Sequence, residues 1–99
     1  MAAKLITVIV SIKASRAWLA KSKLERANLR KRLFELVYSF EGIKFTFLDA
    51  DSFSSDYTDI VICETQELLI YHQSWDKIKD NSIFAKGYYS ITDVRMGIK

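Results

Sequence analysis

The stretch KLITVIVSI, residues 4–12, decides the fold. Leu5 and Ile9 fall on one side of an extended chain, and Ile6, Val8, Val10 and Ile12 fall on the other. A strand that is apolar on both faces is buried on both faces. The run is β-branched, is interrupted by Thr7 and Ser11, and is closed by Lys13 without a small-residue cleavage pattern. It therefore reads as a strand and not as a secretion signal. DIVICET, residues 59–65, has the same two-sided character. IKFTFLD, residues 43–49, alternates around two phenylalanines, and GYYSITDVR, residues 87–95, supplies a fourth strand.

Between these strands lie two helical patterns. In SKLERANLRKRLFELVYSF, residues 22–40, Ser22 and Glu25 make an S-x-x-E capping box, which satisfies free N–H groups in the first turn. Leu29, Leu33, Leu36, Val37 and Phe40 repeat at the helical period, and Gly42 is the expected terminator. In QELLIYHQSWDKIKD, residues 66–80, the stripe is Leu68, Tyr71, Trp75 and Ile78, with Thr65 as the expected N-cap. The order β-α-β-β-α-β predicts an α+β, ferredoxin-like fold, an antiparallel sheet with two helices on one face. In that topology the first and third strands are central, which suits the two strands that are apolar on both sides. Leu5 and Ile9, with one set from the third strand and Phe or Leu from the second, would then be left on the helix-free face. So large an apolar sheet is expected to be covered by a second copy in a homodimer.

The 99 residues are 49% hydrophobic and 27% charged, the composition of one globular domain spanning 1–99 rather than a disordered chain. A net charge of +3 is only mildly basic. No stretch approaches the length of a membrane span, and the expected location is the cytoplasm. The single cysteine, Cys63, excludes an intrachain disulfide and reads as a small buried hydrophobe. With one cysteine and one histidine, His72, a zinc site built by one chain is not expected; nor is any other cofactor.

DADSFSSDYTD, residues 49–59, carries Asp49, Asp51, Asp56 and Asp59 among serines and threonines. Its spacing is not that of a calcium loop, and the glycine for a sharp turn is absent. Arg26 falls within about forty degrees of the centre of its helix's apolar face. It is either a snorkelling side chain, a partner for Asp49 or Asp51, or a clamp for a ligand carboxylate. Trp18, just before the capped helix, and Phe53, in the loop, are placed to roof a cavity or to anchor the core. His72 is the one side chain whose ordinary pKa lies near neutrality, but no nucleophile is set beside it. Trp18, Arg26, Asp49, Phe53, His72 and Tyr88 form the candidate ligand-binding set. Lys23, Arg26 and Arg30 share one side of the helix. GYYSITDVR has aromatics but not the signature of an RNA-binding sheet, and the open face suits a dimer better, so nucleic acid is not the expected partner.

KASRAWLAKSKLERANL, residues 13–29, and DADSFSSDYTDIVICET, residues 49–65, resemble the signature stretches of the darcynin family, short bacterial proteins of unassigned function. Ala17, Trp18, Leu19, Glu25, Arg26, Asp49, Ala50, Asp51, Phe53, Ser54, Thr58 and Asp59 carry the match. SIFAKGYYSITDV, residues 82–94, is similar to the family's aromatic final segment. Asp56 and Arg16 depart from it, standing where a basic residue and a proline are common. The resemblance implies a fold of the dimeric α/β-barrel type and a homodimer with a small-molecule pocket between sheet and helices. The alternative is a metal-independent enzyme of that kind acting on a small organic molecule.

Overall fold

A computed structural model describes residues 4–50 and 56–99. The chain runs β1 (Ile6–Ala14), α1 (Arg16–Leu19), α2 (Lys23–Val37), β2 (Ile43–Asp49), β3 (Asp59–Thr65), α3 (Leu68–Asp80), α4 (Ser82–Ala85) and β4 (Tyr89–Ile98). The strands form one sheet in the order β2-β3-β1-β4, and every neighbouring pair is antiparallel. This is the ferredoxin-like α+β fold, with β1 and β3 central as their two-sided apolar patterns require.

Residues opposite one another across a ladder share a face. Val8, Cys63 and Phe45 make one row on the helical side, and Val10, Val61 and Phe47 make the next. Val8, Val10, Val61 and Cys63 are completely buried. Leu33 and Val37 of α2, Tyr71, Trp75 and Ile78 of α3, and Ile83 of α4 close over them. Each fully buried aliphatic side chain contributes about 1.5–3 kcal/mol by leaving water, so these rows are the main source of the sheet's hold on its helices.

On the other face, Ile9 sits beside Ile62 and Thr46, and Ser11 sits beside Ile60 and Leu48. No described helix covers this side; Ile9 is 40% and Leu48 45% exposed. The second strand gives this face Leu48 and no phenylalanine, because Phe45 and Phe47 both point to the helices. Arg95 and Asp93 of β4, joined at 2.9 Å, border the patch. A bulge at Ser11/Ile12 leaves Thr92 as the extra residue, and its hydroxyl donates to the Ser11 carbonyl at 3.1 Å.

Helix α2 opens as expected: the Ser22 Oγ accepts the Glu25 N–H at 3.2 Å and donates to the Glu25 carboxylate at 3.1 Å. It ends at Val37 rather than Phe40, and Gly42, at φ +78°, closes the following turn instead of the helix itself. The α3 cap position is held by Glu67 without a side-chain bond. Thr65, the expected cap, accepts the Glu67 N–H at 3.2 Å and donates to the Gly42 carbonyl at 2.7 Å, tying two turns together. Of the predicted α3 stripe, Tyr71, Trp75 and Ile78 are buried, while Leu68 is 37% exposed. Among the described residues, no helix is long and apolar enough to cross a membrane.

Candidate functional site

At one end of the sheet β1 and β2 finish while β3 and β4 begin. Thr58 fastens this end. Its N–H donates to the Ile12 carbonyl at 2.9 Å, its carbonyl accepts the Ala50 N–H at 2.8 Å, and its hydroxyl accepts the Ala14 N–H at 3.0 Å and donates to Asp59 at 2.7 Å. Asp49 and Asp59 are directly paired across β2 and β3, in the same row as Ile12, so both carboxylates stand on the helical side.

Helix α2 passes over these strand ends and leaves a cleft of two adjoining lobes. The first, about 220 Å³, is walled by Leu33 and Phe34 of α2, Phe47 of β2, and Ile83 and Phe84 of α4. Phe34 and Phe47 meet edge to face at 5.0 Å between ring centres. The second, about 210 Å³, is lined by Trp18, Arg26 and Thr58 and is more polar. Arg30, Asp49, Asp59 and Tyr89 line both lobes and form the seam between them. A space that is apolar at one end and charged at the other is the usual form of a site for a small organic molecule.

The polar lobe is built on a buried ring. Trp18, 2% exposed, is held by the short helix α1, whose Ser15 hydroxyl accepts the Trp18 N–H at 3.2 Å. Tyr89 meets the indole edge-on at 5.2 Å and Tyr88 lies 6.0 Å from it. The Arg30 guanidinium stands 5.8 Å from the indole centre, within cation–π range. Lys21 lies 4.7 Å from the Tyr88 ring centre, and its pKa is raised, chiefly by hydrogen bonding to Tyr88 and further by Glu25. Glu25 is lowered, first by the Ser22 hydroxyl and then by Lys21.

Arg26 is the unusual member. Its Nε is buried and has no hydrogen-bond partner among the described residues. A buried donor left unmade costs about 1–3 kcal/mol, more when charged, so such atoms call for an explanation. Arg26 and Asp49 line the same lobe. The ion pairs found among the described residues are Lys21–Glu25 at 3.5 Å and Arg95–Asp93 at 2.9 Å.

Of the six residues expected from sequence, Trp18, Arg26 and Asp49 are brought together in the polar lobe. Tyr88 lines neither lobe but lies 6.0 Å from the Trp18 ring. His72 is apart: it is exposed on α3, edge-on to Tyr71 at 5.2 Å, and lines neither lobe. Phe53 and Asp51 lie outside the described residues. Sequence reasoning missed Arg30, Phe34, Phe47, Thr58 and Tyr89. The available signal was spacing, since residues 26, 30 and 33 lie one turn apart on α2. Among the described residues no three His, Cys, Asp or Glu side chains are grouped as metal ligands would be.

No protein-family model matches the chain, and no curated protein matches it in sequence. Solved structures do match its fold. Chlorite dismutase from Candidatus Nitrospira defluvii, in complex with imidazole, aligns with a TM-score of 0.85 at 10% identity, over 96% of this chain and 40% of that one. A heme-binding protein from Thermus thermophilus aligns with a TM-score of 0.84 at 15% identity, over 98% of this chain and 40% of that one. The chain thus spans about two fifths of the length of these structures. At such identities the likeness is one of fold.

Proposed function

We propose that residues 1–99 form one darcynin-like domain that works as a homodimer through its open sheet face and binds a small organic molecule in the two-lobed cleft. The observation that carries the binding role is the cleft's division: an aromatic and aliphatic lobe next to a lobe holding the buried Arg26 Nε, which has no hydrogen-bond partner among the described residues. Structures of the same fold include a heme-binding protein, but the residues of this cleft lack what haem requires. Haem iron takes an axial His, Cys, Met or Tyr. Neither lobe is lined by His, Cys or Met. His72 faces outward, and Cys63 is locked in the core against Trp75. Tyr89 alone offers a phenol, and lobes of about 220 and 210 Å³ are small for a porphyrin. The residues do not fit haem, and a smaller ligand suits them.

Binding is preferred to catalysis for a geometric reason. The one histidine, His72, is off the cleft, so an enzyme would have to rely on Asp49, Asp59 and Tyr89 for proton transfer there. The test is a titration of the isotope-labelled protein with single-ring fragments, followed by amide chemical shifts. Shifts concentrated at Arg30, Phe34, Phe47 and Tyr89 are expected. Absent shifts, or shifts scattered over the surface, would refute the reading.

A further inference from the structure

We infer that the ligand of the cleft is a monocarboxylate with an apolar body about one ring in size, its carboxylate held by Arg26 with Arg30 beside it. The inference rests on the small-molecule reading above and gives it a chemical class. Arg26 and Arg30 are four residues apart on α2 and line the polar lobe from the same helix. The Arg26 Nε is buried without a partner among the described residues. A guanidinium edge presents Nε and a terminal nitrogen as a planar fork, which matches the two oxygens of a carboxylate. A carboxylate there would satisfy a donor that no described residue meets.

The charge of the lining restricts the anion. Asp49 and Asp59 enter the same lobe from the strand ends, opposite α2. Two arginines against two aspartates leave the lobe without net charge, so each negative charge brought in is opposed by the aspartates and a dianion such as phosphate is opposed twice over. One negative charge, turned toward α2, is what the wall accepts. The size of the body follows from the apolar lobe. A cavity of about 150 Å³ holds benzene, and this lobe has about 220 Å³ between Phe34, Phe47 and Ile83. One ring with a short linker fills it and reaches the seam at Arg30.

The experiment titrates the whole chain with 3-phenylpropionate and with its neutral isostere 3-phenylpropionamide, reading amide shifts and the Trp18 indole signal. The acid is expected to bind about tenfold or more tightly than the amide, the usual gain for a charge-assisted hydrogen bond. Arg26→Gln should remove that advantage, so that acid and amide bind alike. If R26Q fails to give a dispersed spectrum, R30Q supplies the same comparison. Equal binding of acid and amide, with shifts at the lobes, would overturn the carboxylate assignment while the small-molecule reading stands. If neither probe binds although other single-ring fragments shift the same residues, the carboxylate class fails alone. If no fragment reaches the lobes, both readings fail.

Discussion

The indole N–H of Trp75 points to the sulfur of Cys63 across 3.4 Å, from α3 to the centre of β3. Both residues are buried, Cys63 completely. Burial raises the Cys63 pKa from its ordinary 9.0 to about 11, and the indole donor opposes the rise only in part. The thiolate is the reactive form, so Cys63 should resist alkylating and disulfide reagents at about pH 8 until the protein unfolds. Complete labelling in seconds without denaturant would contradict this placement.

The same residue predicts how stability varies with pH. Between about 9 and 11 the folded state keeps the Cys63 proton and the unfolded state loses it. Unfolding in this window releases a proton, because the unfolded thiol binds fewer protons than the folded one, so stability falls as pH rises. The contribution is fully present below the unfolded value, about 9, and is lost as pH climbs from there through about 11. The change amounts to about 2–3 kcal/mol over two pH units. Tyr71, also raised by burial, adds to the decline in the same direction. Urea midpoints at about pH 8 and about pH 10.5 measure it; Cys63→Ala should flatten the difference, whatever its cost to stability at the lower pH.

Gly42 meets two demands at once. Its φ of +78° is one that side-chain-bearing residues rarely adopt, and a Cβ there would come within 2.8 Å of the Ile70 Cδ1. Gly42→Ala should cost about 1–2 kcal/mol for the backbone conformation, plus whatever it takes to displace the Ile70 methyl. Ile70→Val removes that methyl. In the double variant the losses should sum to less than their separate values, the sign of a contact between the two sites. Strict additivity in urea unfolding would show that the close approach costs nothing.

Strands were the most readable part of the sequence. The bounds of β2 follow from alternation and those of β3 from a two-sided apolar run between polar residues, but which set of each faces the helices is settled only by the register, which puts Phe45, Phe47, Val61 and Cys63 in the rows of Val8 and Val10. Helix ends were harder. Phe40 continues the apolar repeat of α2 although the helix stops at Val37, because the turn folds its ring back to 6.2 Å from Phe45. Periodicity sees the burial and not the change of backbone. The four-residue helices α1 and α4 are too short for any repeat, and only their caps, Ser15 and Asn81, mark them. At the site, Trp18, Arg26 and Asp49 were found through residue type and position. Arg30, Phe34 and Phe47 were not, because nothing local says which turn of α2 lies over the strand ends. His72 was lost by one residue: a step of about 100° from the buried Tyr71 turns it to solvent.

The start of α2 gives a separate test of local stability. Ser22 both accepts the Glu25 N–H and donates to its carboxylate, at an exposed position. Ser22→Ala should lower unfolding stability by about 1 kcal/mol, with Ser22→Asp recovering most of it. The cleft should be affected little, since Ser22 lines neither lobe. A loss well above about 2 kcal/mol, the upper end for a cap, would mean that α2 is tied to the sheet through its first turn more tightly than its exposed cap indicates.

The last prediction concerns the face that no described helix covers. Ile9, Ile60, Ile62 and Leu48 are contiguous there, bordered by Arg95 and Asp93 on one side and by Lys44 and Glu64 toward one end. An apolar centre with charges of both signs around it is the anatomy of a protein interface. A two-fold axis would set the same patch against itself and let an arginine on one copy meet an aspartate or glutamate on the other. Light scattering at low micromolar concentration should give twice 11.5 kDa. Ile9→Glu places a charge at the patch centre twice per dimer and should yield 11.5 kDa with a retained fold, because Ile9 is already 40% exposed in the single chain. Val94, Met96 and Ile98 provide the control. Their ladder partners Val10, Val8 and Ile6 place them on the helical side, yet they are 48%, 47% and 62% exposed. If Val94→Glu dissociates the dimer and Ile9→Glu does not, copies join along the β4 edge and the open face serves something else. If the wild-type chain is a clean monomer, the apolar face needs a partner other than a second copy.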